Sequence, residues 1–229
     1  MGDGTVVEFV GLPGAGKSFL ATKVTTRLAE LGIDVHNSYS QITSERRLLV
    51  RAGRRLAITI PFLIRRPGFA FQAGRSLVKV GPGLGAFWRL LMNWVTVQAL
   101  VESGHSRAGV TILDQGTYQL MWSIGARYGS AAVGECAAVA GSSRARDLIV
   151  IVQVSNEVAV DRLASRHGGR GVSDLFPTDG EEVVAAVVET LTAESPGLPG
   201  IVTVRNDPGS SVDEALDVVT DEIQNRGRR

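Results

Sequence analysis

The sequence contains a single cysteine and lacks any long hydrophobic run. Cys136 has no second cysteine with which to form an internal disulfide or a cysteine metal cluster, so we expect a protein of the reducing cytoplasm. The longest runs without a charged residue, residues 90–101 and 115–126, have 12 residues each. A membrane-spanning helix needs roughly 18. A transmembrane protein is therefore not expected.

The composition is that of a folded globular chain. Hydrophobic residues make up 44% of the 229 residues and charged residues 21%, unlike the polar composition of a disordered protein. Five apolar segments alternate with helical patterns and predict buried strands. These segments are residues 5–10, 33–35, 110–113, 148–154 and 200–204. Such alternation indicates a single α/β domain, residues 1–229, with a parallel sheet covered by helices on both faces.

A glycine-rich motif follows the first predicted strand. Residues 11–18 read GLPGAGKS, match the pattern G-x-x-x-x-G-K-[ST] in full, and precede a predicted helix with Gly32 at its C-cap. In such a P-loop the backbone N–H groups face nucleotide phosphates, the lysine (Lys17) reaches the β- and γ-phosphates, and the hydroxyl (Ser18) binds Mg²⁺. The motif predicts binding of ATP with Mg²⁺. The predicted nucleotide-binding residues are Gly11, Pro13, Gly14, Ala15, Gly16, Lys17, Ser18 and Phe19.

A carboxylate that helps to hold the metal is expected at the end of a strand beside the P-loop. Asp114 follows the apolar segment 110–113 and fits that place. It would either organise Mg²⁺ through water or accept the proton of an attacking hydroxyl, and the alternative is a plain helix N-cap. Gln115 and Gln119 either position a substrate or are solvated helix residues.

An arginine-rich segment follows the fourth predicted strand. Arg162 and Arg166 are four residues apart on one face of a predicted helix, and Arg170 lies between glycines in a loop able to move. Planar arginine donors suit the charge on a phosphoryl group in transfer. We therefore predict that residues 161–180 form a closing lid with these three arginines as catalytic groups. A solvated basic helix is the alternative.

The P-loop, the strand that ends at Asp114 and the helix with Arg162 and Arg166 together resemble the P-loop nucleoside and nucleotide kinases, thymidylate kinase-like proteins in particular. The resemblance covers residues 5–35 and 110–225. It implies a doubly wound five-stranded sheet in the order 2-3-1-4-5, with nucleotide at the carboxyl ends of the strands. It also implies that the loop after the fifth strand contacts adenine. The residues of that loop are Arg205, Asn206 and Asp207.

Residues 45–105 form an insertion between the second and third predicted strands. They hold ten Arg or Lys and two acids, and their pattern is apolar and mostly helical, with breaks near Pro61, Pro67 and residues 81–83. Such a segment suits an anionic acceptor, or peripheral contact with a membrane of anionic lipids. The alternative is a solvated basic face of helices that pack on the core. The weaker acceptor candidates are His36, Gln115, Gln119, Arg51 and Arg54.

The expected function is an ATP- and Mg²⁺-dependent phosphotransferase. Its acceptor would be an anion or a hydroxyl compound, such as a nucleoside or nucleotide, a sugar or sugar phosphate, or a lipid-linked phosphate. The alternative is a regulatory or switch NTPase, either free or at a membrane surface. Nucleic acid is not an expected partner, because no β-sheet RNA motif accompanies the aromatic residues of the insertion. We expect a monomer or a homodimer.

Overall fold

Five parallel strands form one sheet in the order β2-β3-β1-β4-β5. The structure is a computed structural model, and it describes residues 4–37, 48–137, 139, 147–167, 187 and 200–227. The strands are β1 Thr5–Val10, β2 Val35–Asn37, β3 Val110–Leu113, β4 Leu148–Gln153 and β5 Gly200–Arg205. The predicted fold class and strand order are confirmed.

Helices connect the strands, because neighbouring parallel strands need a crossover connection, which is usually a helix. Helices α1 and α8 pack against each other, while α2, α3 and α4 pack together between β2 and β3 in the chain. The helices of the described residues are α1 Lys17–Glu30, α2 Leu48–Arg65, α3 Pro67–Val80, α4 Leu84–His105, α5 Thr117–Tyr128, α6 Ala131–Ala137, α7 Asn156–His167 and α8 Val212–Gly227.

Strand β1 lies at the centre of the sheet and is buried along its whole length. Val7 pairs with Ile112 of β3 on one side and with Leu148 of β4 on the other. Burial on both sides explains why the strand is apolar apart from Thr5 and Glu8, since a parallel strand covered by helices has no solvent face. The strand delivers Gly11 and the P-loop to the carboxyl edge of the sheet.

Strand β2 starts two residues later than the predicted segment 33–35. Gly32 has a φ of 74°, its N–H donates to the carbonyl of Ala29, and the N–H of Ile33 donates to that of Leu28. These two bonds form a Schellman motif, which confirms Gly32 as the glycine of the helix end. Because the motif uses the N–H of Ile33, pairing with β3 begins only at Val35.

The insertion is helical throughout residues 48–65, 67–80 and 84–105. The predicted breaks at Pro67 and at residues 81–83 are confirmed, but the break near Pro61 is wrong, because α2 continues through it. Pro61 has no N–H to donate to the carbonyl of Ala57 four residues earlier, and both residues are exposed. By length and composition α4 is apolar enough to span a membrane, but its second half is buried against the sheet, as in a core helix.

Candidate active site

Glycines of the P-loop stand where a side chain has no room. Gly14 has a φ of 84°, and a Cβ on it would lie 2.5 Å from the carbonyl oxygen of Ala159. Gly16, with a φ of 92°, is the N-cap of α1, and its Cβ would collide with the side-chain amide of Asn206. The loop therefore packs so closely against α7 and the residue after β5 that only glycine fits at these two positions.

Lys17 folds its ammonium group back over the P-loop. Its Nζ donates to the carbonyl oxygens of Gly11, at 2.7 Å, and Leu12, at 2.9 Å. Burial lowers the pKa of Lys17 to about 8, although the nearby charge of Asp114 opposes the shift. Because this ammonium group is poorly solvated, phosphate oxygens that approach it should stabilise its charged form.

Ser18 and Asp114 meet beside the lysine, as the motif predicts. The Ser18 hydroxyl donates to Oδ2 of Asp114 at 3.1 Å, and Oδ1 of Asp114 is buried without a hydrogen-bond partner in the structure. The alternative role of Asp114 as an N-cap is wrong, because the N-cap of α5 is Gly116.

These oxygens fit Mg²⁺. A hydroxyl and a carboxylate are the hard ligands that this ion takes from proteins, and phosphate and water oxygens normally complete its shell. In the described part of the chain no three His, Cys, Asp or Glu side chains come together as a metal cluster. Two protein ligands beside a phosphate loop therefore match a metal that arrives with its nucleotide.

Asn206 and Arg162 support the P-loop from the side of β5. The side-chain amide of Asn206 donates to the carbonyl oxygen of Ala15 at 2.7 Å, and Arg162 Nη2 donates to the carbonyl oxygen of Asn206 at 2.8 Å. The Arg162 guanidinium lies near Gly16. Arg162 is thus placed beside the phosphate-binding loop, and its part in catalysis stays a prediction.

The other predicted site residues occupy varied positions. Asp207 accepts the backbone N–H of Ser155 at 2.8 Å at the start of α7, and Arg205 is exposed. His36 lies 3.5 Å from Asp34. Pro13 is partly exposed and Phe19 is 48% exposed.

Several predicted residues fall outside what the structure describes. Arg170 and residues 168–180 of the predicted lid lie there. The backbones of Arg166 and Arg51 belong to α7 and α2, but their side chains are not described. Arg54 is exposed on α2. The adenine, lid and acceptor assignments stay predictions.

Gln119 has a role that neither sequence interpretation contained. It is buried rather than solvated, and its Oε1 accepts the backbone N–H of Gly11 at 3.0 Å. The bond ties the first residue of the P-loop to helix α5, across 108 positions of sequence. Gln115, by contrast, is exposed.

Glu8 is a buried carboxylic acid in β1 that sequence reasoning missed. Its Oε1 accepts the backbone N–H of Gln119 at 2.8 Å. The carboxyl group packs against Gly116, where a Cβ would collide with it. Burial raises the pKa of Glu8 to about 8, opposed by backbone N–H groups at the start of α5. One signal was available, since an acid inside a strand buried on both faces must have a polar partner.

A parallel sheet in this order, with the glycine-rich loop after its central strand, is the arrangement that the resemblance to P-loop nucleotide kinases implied. The predicted fold is confirmed, and a thymidylate kinase-like specialisation stays a prediction. No protein-family model matches the chain, and no curated protein matches it.

Solved kinase structures are among those similar to the chain. APS kinase from Mycobacterium tuberculosis, in complex with AMPPNP and APS, is 18% identical, with 98% of this chain and 99% of that chain covered and a TM-score of 0.43. Deoxyadenosine kinase from M. mycoides, with bound dATP, is 14% identical, with 96% and 99% covered and a TM-score of 0.46.

Proposed function

We propose that this protein is an ATP- and Mg²⁺-dependent phosphotransferase that acts on a small anionic or hydroxyl-bearing acceptor. One observation carries the proposal: the Ser18 hydroxyl, the unpartnered Oδ1 of Asp114 and the Lys17 ammonium converge on the P-loop. Together they offer two metal ligands and one phosphate ligand at the N-terminus of α1. The polyphosphate would bind along the loop.

The residues of the chain would bind and orient the triphosphate. Lys17 would exchange its two loop carbonyls for phosphate oxygens, and the loop N–H groups would hold the β-phosphate. Bound Mg²⁺ would supply positive charge that neutralises the phosphates. Arg162, whose guanidinium donates to the Asn206 carbonyl beside Gly16, would neutralise charge on the phosphoryl group in transfer.

In the transfer step, an acceptor oxygen would form a bond to the γ-phosphorus while the bond to the β,γ-bridging oxygen breaks, and ADP would leave. A hydroxyl acceptor also loses a proton, and the alternative role of Asp114 is to accept this proton on Oδ1 instead of holding Mg²⁺. A phosphate acceptor needs no base. The enzyme would contribute position and electrostatics rather than a covalent intermediate.

The test is ADP release measured across nucleosides, nucleotides, sugars, sugar phosphates and polyprenyl phosphates. We expect one acceptor class to stimulate release, and Lys17→Met to abolish that stimulation. Steady hydrolysis that no acceptor stimulates would instead support a switch NTPase. Absence of any heat on titration with Mg·ATP or Mg·GTP at millimolar concentration would remove the nucleotide site itself.

Asp114→Ala separates binding from transfer. It should still bind ATP, because Lys17 and the loop N–H groups remain, but acceptor phosphorylation should fall about 10²–10³-fold, as when one transition-state ligand is lost. A higher Mg²⁺ concentration should restore only part of the lost rate. Unchanged turnover would exclude Asp114 from the mechanism.

A further inference from the structure

We propose that the helical insertion docks on a membrane surface of anionic lipids, through apolar stripes on α2 and α4 and the arginines around them. The stripes are Leu56, Ile60 and Ile64 on α2, and Leu84, Trp88 and Met92 on α4. The inference is independent of the reaction proposed above.

Helix α2 is apolar on two opposite sides. Phe62 is buried in the core, whereas Leu56, Ile60 and Ile64, at four-residue spacing, are 49%, 51% and 75% exposed. Residues four apart lie beside one another on a helix, so these three form a continuous strip. A helix of a globular protein normally turns a polar side to water, whereas α2 exposes this apolar strip in addition to arginines such as Arg54.

Helix α4 repeats the feature at its N-terminal half. Leu84, Trp88 and Met92 have the same spacing and are 76%, 57% and 37% exposed. The fully buried Trp94 marks the opposite side of the helix, which packs in the core. Of the large hydrophobic residues that the structure describes as exposed, nine of 14 lie in these three insertion helices. Single exposed hydrophobic residues are ordinary, but such concentration marks an interaction surface.

The charge of the insertion selects anionic lipid as the occupant. Residues 48–105 hold eight Arg or Lys and one acid, Glu102. Glu102 pairs with Arg65 and Arg66, and Lys79 pairs with Glu135 of α6, so the charge offered to lipid comes from the other arginines. Arg75 lies on α3 between the exposed Phe71 and Val78, and Arg89 follows Trp88. Arginine among aliphatic and tryptophan side chains is the composition that binds at the headgroup and acyl boundary.

The stripe on α4 lies on the nucleotide side of the sheet. Gln98 donates to the Thr117 hydroxyl at 2.9 Å at the carboxyl edge, while Gly104 packs on Thr111 and Val6 within the sheet. The part of α4 that precedes Gln98 is about 20 Å long, and it therefore extends beyond that edge. Docking through it would hold the P-loop on the membrane side of the protein.

Vesicle flotation of the full chain tests the proposal. Vesicles of equal phosphatidylcholine and phosphatidylglycerol should carry the protein, pure phosphatidylcholine vesicles should carry little, and added salt should release it. The variant Ile60→Gln/Ile64→Gln/Leu84→Gln/Trp88→Gln should partition at least about tenfold less. Arg75→Gln/Arg89→Gln should also lose about tenfold on the anionic vesicles alone.

Leu31→Gln/Val218→Gln is the control, since these residues are 48% and 46% exposed but lie outside the insertion, directly after α1 and on α8. It should float like the wild type, and all variants should keep the wild-type circular dichroism spectrum. No flotation with anionic vesicles, or equal flotation of the stripe variant, would overturn the proposal. A wild-type dimer that the stripe variant dissociates, without vesicle binding, would assign the stripes to a second copy instead.

Discussion

The P-loop region and the helical insertion are held together in different ways. Around the P-loop, hydrogen bonds join residues far apart in sequence: Gly11 to Gln119, Ala15 to Asn206 and Ser18 to Asp114. In the insertion, helices pack by apolar contact, with a few polar bonds such as that from Arg55 of α2 to Thr96 of α4, and still expose apolar side chains. The first region is built so that its polar backbone atoms have fixed directions, as a phosphate site requires. The second leaves apolar surface exposed, as a contact surface requires.

Core packing inside the insertion should show the largest effect on stability. Leu77 is fully buried on α3, whereas its neighbour Val78 is 68% exposed. Leu77→Ala should lower the free energy of unfolding by about 2–5 kcal/mol, and Val78→Ala by less than about 0.5 kcal/mol. Urea denaturation of both variants measures the contrast. Similar losses would mean that the face carrying Val78 is covered in solution.

The P-loop should tolerate an added methyl group less than the insertion does. Gly14 and Gly81 both have positive φ, at 84° and 74°, but a Cβ meets the Ala159 carbonyl only at Gly14. Gly81→Ala should cost about 1 kcal/mol of backbone strain, and Gly14→Ala about 1–3 kcal/mol more. Thermal melts give the difference. Equal costs would show that α7 moves aside freely.

Because of Glu8, the free energy of unfolding should fall as the pH rises. Its pKa is about 8 in the folded protein against 4.5 unfolded, so the folded state holds the extra proton between these values. The stabilisation is complete below about pH 4.5 and is lost by about pH 8. Glu8→Gln should flatten the dependence by roughly 1–3 kcal/mol across this window. Parallel pH profiles of the two proteins would contradict the burial of Glu8 as an acid.

The smallest effect that we expect is an uptake of protons by the protein when nucleotide binds at alkaline pH. The pKa of Lys17 is about 8, and bound phosphates should raise it. Near that pH, binding should consume up to about half a proton per site. Calorimetry in buffers of different ionisation enthalpy measures this, and the uptake should vanish near pH 6.5, where Lys17 is already charged. Uptake of the same size at both values would assign the proton elsewhere.

Much of the fold was predictable because its signals are local. The apolar run 5–10, the motif at 11–18 and the position of Asp114 after a strand each need only a few neighbouring residues. The strand order was available only through the resemblance to P-loop kinases. The error at Pro61 arose because the exposure of a helix face is not written in the local pattern.

The sequence by itself determined the phosphate loop, its lysine and serine, and the excess of arginine in the insertion, because residue type and spacing carry these properties. Only the tertiary structure decided that Gln119 and Asn206 hold the loop, that Glu8 is buried against α5, and that the stripes on α2 and α4 remain exposed. Each depends on which distant segments pack together. A pattern shows that a residue is apolar or polar, but only packing shows which neighbour it meets.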